Sequence, residues 1–96
     1  MQTMRMEFYV YLLSSQKFNR FYLGQTQKLK ERIKEHNSGK VRSTKYYLPW
    51  KLIGYEVYGT RQEARKRENY LKSLKNKEYL LKVVKKPKSN KMSDAG

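Results

Sequence analysis

The chain opens with a run that is apolar or aromatic at almost every position. Glu7 to Ser14 reads EFYVYLLS, the aromatic and branched composition of a strand. Alternation sends Tyr9, Tyr11 and Leu13 to one face and Phe8, Val10 and Leu12 to the other. Both faces are largely apolar, so a central strand covered on both sides is expected. Ser15 to Asn19 is short and polar and suits a hairpin loop. Arg20 to Gly24 (RFYLG) then reads as the returning antiparallel strand.

From Leu29 the period lengthens. Leu29, Ile33 and His36 fall at i, i+4 and i+7, a helical stripe. Thr26 is the expected N-cap. Asn37-Ser38-Gly39 supplies the stop, with Gly39 free to take the left-handed conformation. Residues 40–49 form a basic loop in which Pro49 holds Leu48 extended. Trp50 to Tyr58 (WKLIGYEVY) is a third strand, bent at Gly54. Thr60 and Glu63 match a capping box, opening a helix to about Leu74 with Ala64, Leu71 and Leu74 inward. Asn76 is the expected cap of a last helix, Lys77 to Val84, with Tyr79, Leu80 and Val83 inward. The prediction is one α+β domain over residues 1–86: a small three-stranded antiparallel sheet flanked by helices, in the order β-β-α-β-α-α. Residues 87–96 read as a basic, disordered tail.

Two charged residues break these patterns. Arg32 lies within about 60° of Leu29 on the helical wheel, on the arc of the apolar anchors, and His36 shares that arc. The arginine is either a snorkelling side chain at the core rim or a phosphate clamp. Glu68 falls on the core-facing arc of the capping-box helix, between Ala64 and Leu71. It is either ion-paired with a nearby arginine or a metal ligand facing the same cavity as Arg32. Glu31, Glu35 and Glu63 belong to solvated faces or caps. Tyr11 and Tyr22 sit on adjacent strands, where their hydroxyls can converge. A nearby positive charge would lower the pKa of either; without one they are ordinary packed tyrosines.

Composition narrows the partners. Lys and Arg number 23 against 8 acidic residues, a formal net charge of +15. Nucleic acid is therefore the leading partner and an anionic membrane surface the second. No cysteine is present, which removes disulfides, thiolate metal sites and a cysteine nucleophile. Such a chain suits a reducing, cytoplasmic compartment. The single histidine excludes a two-histidine zinc helix. No apolar run approaches bilayer length, and the start carries no cleavage-site pattern. The acidic residues are too dispersed for a two-metal cluster.

The segments Tyr9-Val10-Tyr11 and Tyr22-Leu23-Gly24 resemble the paired motifs of the GIY-YIG nuclease superfamily. LKERIKEHNSGK resembles that family's helix, with its arginine at Arg32 and a histidine one turn later at His36. ARKRENYLKSL resembles its second helix, with the acidic residue at Glu68. The likeness spans roughly residues 7–82 and is closest to the small stand-alone, excinuclease-subunit-like members. It implies a metal-dependent DNA endonuclease of low sequence specificity, acting in DNA repair or processing. Magnesium or manganese would be held by Glu68. Tyr11 would activate the attacking water, Tyr22 orient it, Arg32 steady the phosphate charge and His36 assist by hydrogen bonding or proton transfer. Products with 5′-phosphate and 3′-hydroxyl ends follow by analogy. No small-molecule cofactor and no membrane role is implied. The chain departs from the motifs at Tyr9, Val10 and Leu23. It also carries Leu80 where larger members have an asparagine, with Asn76 nearby but out of register.

Basic residues of the loop (Lys40, Arg42, Lys45) and of the second helix (Arg61, Arg65, Lys66, Arg67) are expected to follow a phosphate backbone. So are Lys82, Lys85, Lys86, Lys88 and Lys91. Tyr46, Tyr47 and Trp50 either stack on bases of a flap or single strand, or pack beneath the loop. Two alternatives to the nuclease are a binding module that kept the scaffold without turnover and an RNA-binding or ribosome-associated protein.

Overall fold

A computed structural model describes residues 6–74 and 76–84. The order is β1 (Phe8–Ser15), β2 (Phe21–Thr26), α1 (Leu29–Asn37), a 3-10 turn (Lys45–Tyr47), β3 (Trp50–Tyr58), α2 (Arg61–Ser73) and α3 (Lys77–Val83). The three strands form one antiparallel sheet in the order β2-β1-β3. The expected α+β architecture and element order are therefore present, with β1 central as its two apolar faces require.

Those faces bury two different clusters. Phe8, Val10 and Leu12 pack with Ala64 and Leu71 of α2 and with Leu80 and Val84. Tyr11 and Leu13 pack with Trp50, Leu29 and Ile33 on the α1 side. Ile33 and Leu29 thus anchor α1 as the helical stripe predicts. The register slips between Leu12 and Leu13, where Gly54 and Leu52 are their β3 partners and Ile53 is the extra residue. This bulge gives the expected irregularity beside Gly54.

Local signals fix most helix ends. The Thr60 hydroxyl accepts from the Glu63 amide at 3.1 Å, and the Asn76 side chain accepts from the Tyr79 amide at 3.0 Å. Gly39 closes α1 with φ +82°. The Leu48–Pro49 peptide is cis. Two expectations are corrected. Thr26 is the last residue of β2, and Lys28 occupies the cap position of α1; the Thr26 hydroxyl accepts from the Lys28 amide at 3.0 Å. Tyr79 faces solvent, because the short α3 buries Leu80 and the Tyr79 position falls outside that narrow stripe.

One side chain ties α1 to the sheet. Asn37 Oδ1 accepts from the Trp50 amide at 2.6 Å, and its Nδ2 donates to the Trp50 carbonyl at 3.0 Å. Lys85, Lys86, Lys88, Lys91 and the tail over 87–96 lie outside the described residues. Among the described residues, no helix is long and apolar enough to cross a membrane.

Candidate active site

Tyr11 sits at the middle of β1, opposite Gly24 of β2. A Cβ on Gly24 would fall 2.6 Å from the Tyr11 hydroxyl oxygen and 2.9 Å from the Tyr22 ring. The missing side chain is what lets the Tyr11 phenol lie across β2. Tyr22, two residues earlier on the same strand face, is half-buried, with its ring centroid 6.2 Å from that of Tyr11.

His36 lies between the two tyrosines and the loop. Its ring is 4.8 Å from Tyr22, its Nε2 is 2.9 Å from Tyr11 Oη, and its Nδ1 is 2.9 Å from Thr44 Oγ1. Thr44 also donates to the Val41 carbonyl at 3.4 Å. With the single Thr44 hydrogen placed there, Nδ1–H is the donor to Thr44, and Nε2 accepts the Tyr11 proton. Burial lowers the His36 pKa, and the nearby Arg32 charge lowers it further, so the ring is neutral at physiological pH. Thr44 carries no motif signal. It is found only through the fold, which returns the basic loop beneath α1.

The cation that could lower the Tyr11 pKa is present, but it does not prevail. Burial pushes Tyr11 up to about 12; the Arg32 hydrogen bond opposes this, while Tyr22 and Glu68 add to the rise. Desolvation outweighs the single cation. Free Tyr11 is therefore a protonated donor to His36.

Arg32, on α1, lies near enough to the Tyr11 hydroxyl for its charge to act on the phenol. Its ion-pair partner is Glu35, at 2.8 Å from Nη1. Glu35, expected only on a solvated face, thus holds the guanidinium in place. Beside the pair lies an open cleft of about 320 Å³, lined by Thr26, Gln27, Lys28, Glu31, Arg32 and Glu35.

Glu68 approaches from α2, on the opposite side of β2. Gln25 Nε2 donates to Glu68 Oε1 at 2.9 Å, and Lys72 Nζ lies 2.9 Å from Oε2. The expected ion pair is present, but with a lysine one turn on rather than an arginine. The Glu68 side chain is 14% exposed and that of Lys72 55%. The bridge is therefore wet at one end. Gln25 Oε1 is buried and has no hydrogen-bond partner among the described residues.

These residues fit magnesium or manganese. Magnesium takes one or two carboxylates and keeps several waters, and such waters carry the hydrogens that the Gln25 oxygen lacks. Among the described residues no group of three His, Asp or Glu side chains converges, so Glu68 alone would be the protein ligand. Asn76 is occupied in capping α3, and Leu80 is core.

The fold thus brings Tyr11, Tyr22, Arg32 and His36 into one network. Glu68 faces them across the edge strand, close enough to be felt at Tyr11. Lys40, Arg42, Lys45, Arg65 and Lys66 are all exposed. Arg67 is not available to a phosphate backbone, being bound to buried Glu56 at 2.8 and 3.1 Å. Trp50 is buried and donates to the Thr44 carbonyl at 3.0 Å, so it packs rather than stacks on bases.

Comparison with known proteins identifies the family. The GIY-YIG catalytic domain matches residues 7–82. The UPF0213 protein YazA of Bacillus subtilis is 39% identical over 74 residues, covering 76% of this chain and 75% of its own length. A UPF0213 protein of Clostridium perfringens is 40% identical over 67 residues, 69% of this chain and 71% of its own. The solution NMR structure of a UPF0213 protein from Bacillus halodurans superposes with a TM-score of 0.51 at 30% identity, covering 81% of this chain and 83% of that one. The chain belongs to the GIY-YIG family of nuclease domains and is similar to the small UPF0213 proteins.

Proposed function

We propose that this protein is a cytoplasmic, metal-dependent DNA endonuclease of low sequence specificity, acting on phosphodiesters in DNA repair or processing. The observation that carries the reading is the Tyr11–His36–Thr44 hydrogen-bond chain lying against Arg32. A phenol of pKa near 12 is a poor base alone. Joined to a neutral imidazole it becomes a relay. As the water oxygen bonds to phosphorus, its proton passes to Tyr11 Oη, and the Tyr11 proton passes to His36 Nε2. The P–O3′ bond breaks, the 3′ oxygen takes a proton from solvent, and the phosphate stays on the 5′ end. Imidazolium Nδ1–H remains on Thr44. Arg32 exchanges Glu35 for the nonbridging oxygens, which its planar fork matches. Tyr22 walls the position of the water. A magnesium or manganese ion held by Glu68 would supply Lewis-acid stabilisation of the leaving oxygen.

Exposed Lys40, Arg42, Lys45, Arg65 and Lys66 supply salt-sensitive backbone affinity without base readout. The second reading, a binding module without turnover, is favoured by Leu80 standing in the core where larger members have an asparagine. A panel of duplex, branched and single-stranded DNA separates the two. Magnesium-dependent nicking is expected from the wild type, with a loss on the order of 10²–10³-fold in Arg32→Ala and no detectable nicking in Glu68→Ala. Unaltered melting temperatures exclude misfolding. Binding with no cutting by the wild type in magnesium or manganese supports the binding module, and tighter binding to RNA than to DNA at moderate salt supports an RNA role.

A further inference from the structure

The aromatic rings do not stop at the Tyr11 network. They continue towards the hairpin end of the sheet, from Tyr22 to Trp50 (6.4 Å between centroids), to Tyr47 (6.4 Å) and to Phe18 (5.4 Å, edge-on). The row starts buried and ends in water. Trp50 is core, Tyr47 is half-buried and Phe18 is 49% exposed. Tyr46, next to Tyr47 in the 3-10 turn, is 72% exposed. Isolated exposed aromatics are ordinary. Here two loops far apart in sequence bring Phe18 and Tyr47 together, with exposed Tyr46 next in the chain, and set cations on the tyrosines. Arg20 lies 4.4 Å from the Tyr47 centroid and Lys45 Nζ lies 5.2 Å from that of Tyr46. Arg20 is also two residues before Tyr22, so their side chains leave the same face of the chain.

The loops that carry these rings are tied down. Ser15 Oγ donates to the Tyr47 carbonyl at 2.7 Å and accepts from the amides of Phe18 (3.0 Å) and Lys17 (3.3 Å). The Gln16 amide donates to the Pro49 carbonyl at 2.9 Å. Loops whose backbone is held in place lose little freedom on binding. An aromatic face with a neighbouring cation matches a nucleobase with its phosphate. In a duplex those base faces are covered by their neighbours, so the match is to unpaired bases.

We infer that Phe18, Tyr46 and Tyr47, with Arg20 and Lys45, form a stacking platform for unpaired bases of a DNA strand. The phosphodiester adjoining those bases reaches the Tyr11–Arg32 network, and the substrate class is DNA with a single-stranded stretch beside the cut. The position of the cut rests on the nuclease reading; the platform does not. Trp50 is the buried link in the row rather than part of the platform.

Binding to fluorescein-labelled oligothymidylate, and to a blunt duplex of equal length, is measured by anisotropy in EDTA, where no cutting intervenes. In the double variant Phe18→Ala, Tyr46→Ala, oligothymidylate affinity is expected to fall about tenfold or more, while duplex affinity stays nearly unchanged. Phe18→Tyr keeps the ring and is expected to bind as wild type. An unchanged melting temperature shows the double variant folded. Equal losses on both ligands, or no loss, overturn the platform. Tighter binding to oligouridylate than to oligothymidylate overturns its assignment to DNA. In magnesium, wild type is expected to nick a flapped duplex faster than a blunt one, and the double variant to lose that preference while still nicking. Loss of oligothymidylate binding in the double variant, with no cutting of any DNA by wild type, would sink the nuclease reading and leave the platform standing.

Discussion

Glu56 and Glu68 meet the same helix and have opposite fates. Glu56, on β3, is 4% exposed. The Arg67 fork of α2 engages both its oxygens, the Tyr58 hydroxyl donates to it, and Arg67 also donates to the Val83 carbonyl at 3.3 Å. Burial and this carboxylate push Tyr58 up to about 12, so the phenol keeps the proton it donates. Glu68 follows Arg67 in sequence but points about 100° around the helix. One of its oxygens is held by Gln25 and the other by a lysine mostly in water. The residue type is the same and so is the need for a cation. What differs is the partner: a planar, half-sequestered fork closes the first carboxylate, while a flexible ammonium leaves the second open to exchange. In a chain this basic, what sets the two acids apart is whether the partner can leave.

The largest effect separates the two acids. Arg67→Ala strips a buried carboxylate of its arginine and is expected to cost about 3–5 kcal/mol. That is a fall of more than about 12 °C in a calorimetric melt of a domain this size. Glu68→Gln is expected to melt within a few degrees of wild type and to show no nicking. Equal melting losses in both variants would erase the distinction. Next in size is Gly24→Ala. Its new methyl meets the enclosed Tyr11 ring, so about 1–3 kcal/mol of stability is expected to go, together with most of the nicking rate as Tyr11 leaves His36. A fully active Gly24→Ala would show that this phenol position is not needed. The smallest effect tests the leaving partner. Lys72→Ala removes an exposed i,i+4 pair worth less than about 1 kcal/mol. The melt should barely move, while the magnesium concentration for half-maximal nicking falls a few-fold. A rise in that concentration would mean that Lys72 assists the metal instead.

The parts legible in the sequence are those governed by near neighbours. Thr60 with Glu63, Asn76 with Tyr79, and Gly39 after α1 act within one turn, and each forms as its spacing dictates. The placement of Arg32, His36 and Glu68 on core-facing arcs was likewise legible, because helical phase is local. The closing of Glu56 by Arg67 was not, since the two are eleven residues apart on different elements and no periodicity couples them. Covering of β1 on both faces was legible, but not that the burial of Tyr11 would outweigh its cation; strand alternation names a face but not how dry it becomes. Thr44 and Phe18 meet His36 and Tyr47 only where loops return to the sheet.

The paired bonds of Asn37 to the Trp50 backbone let a side chain do what a neighbouring strand would do. They clamp the end of α1 to the start of β3, so the helix bearing Arg32 and His36 cannot slide over the sheet without tearing both.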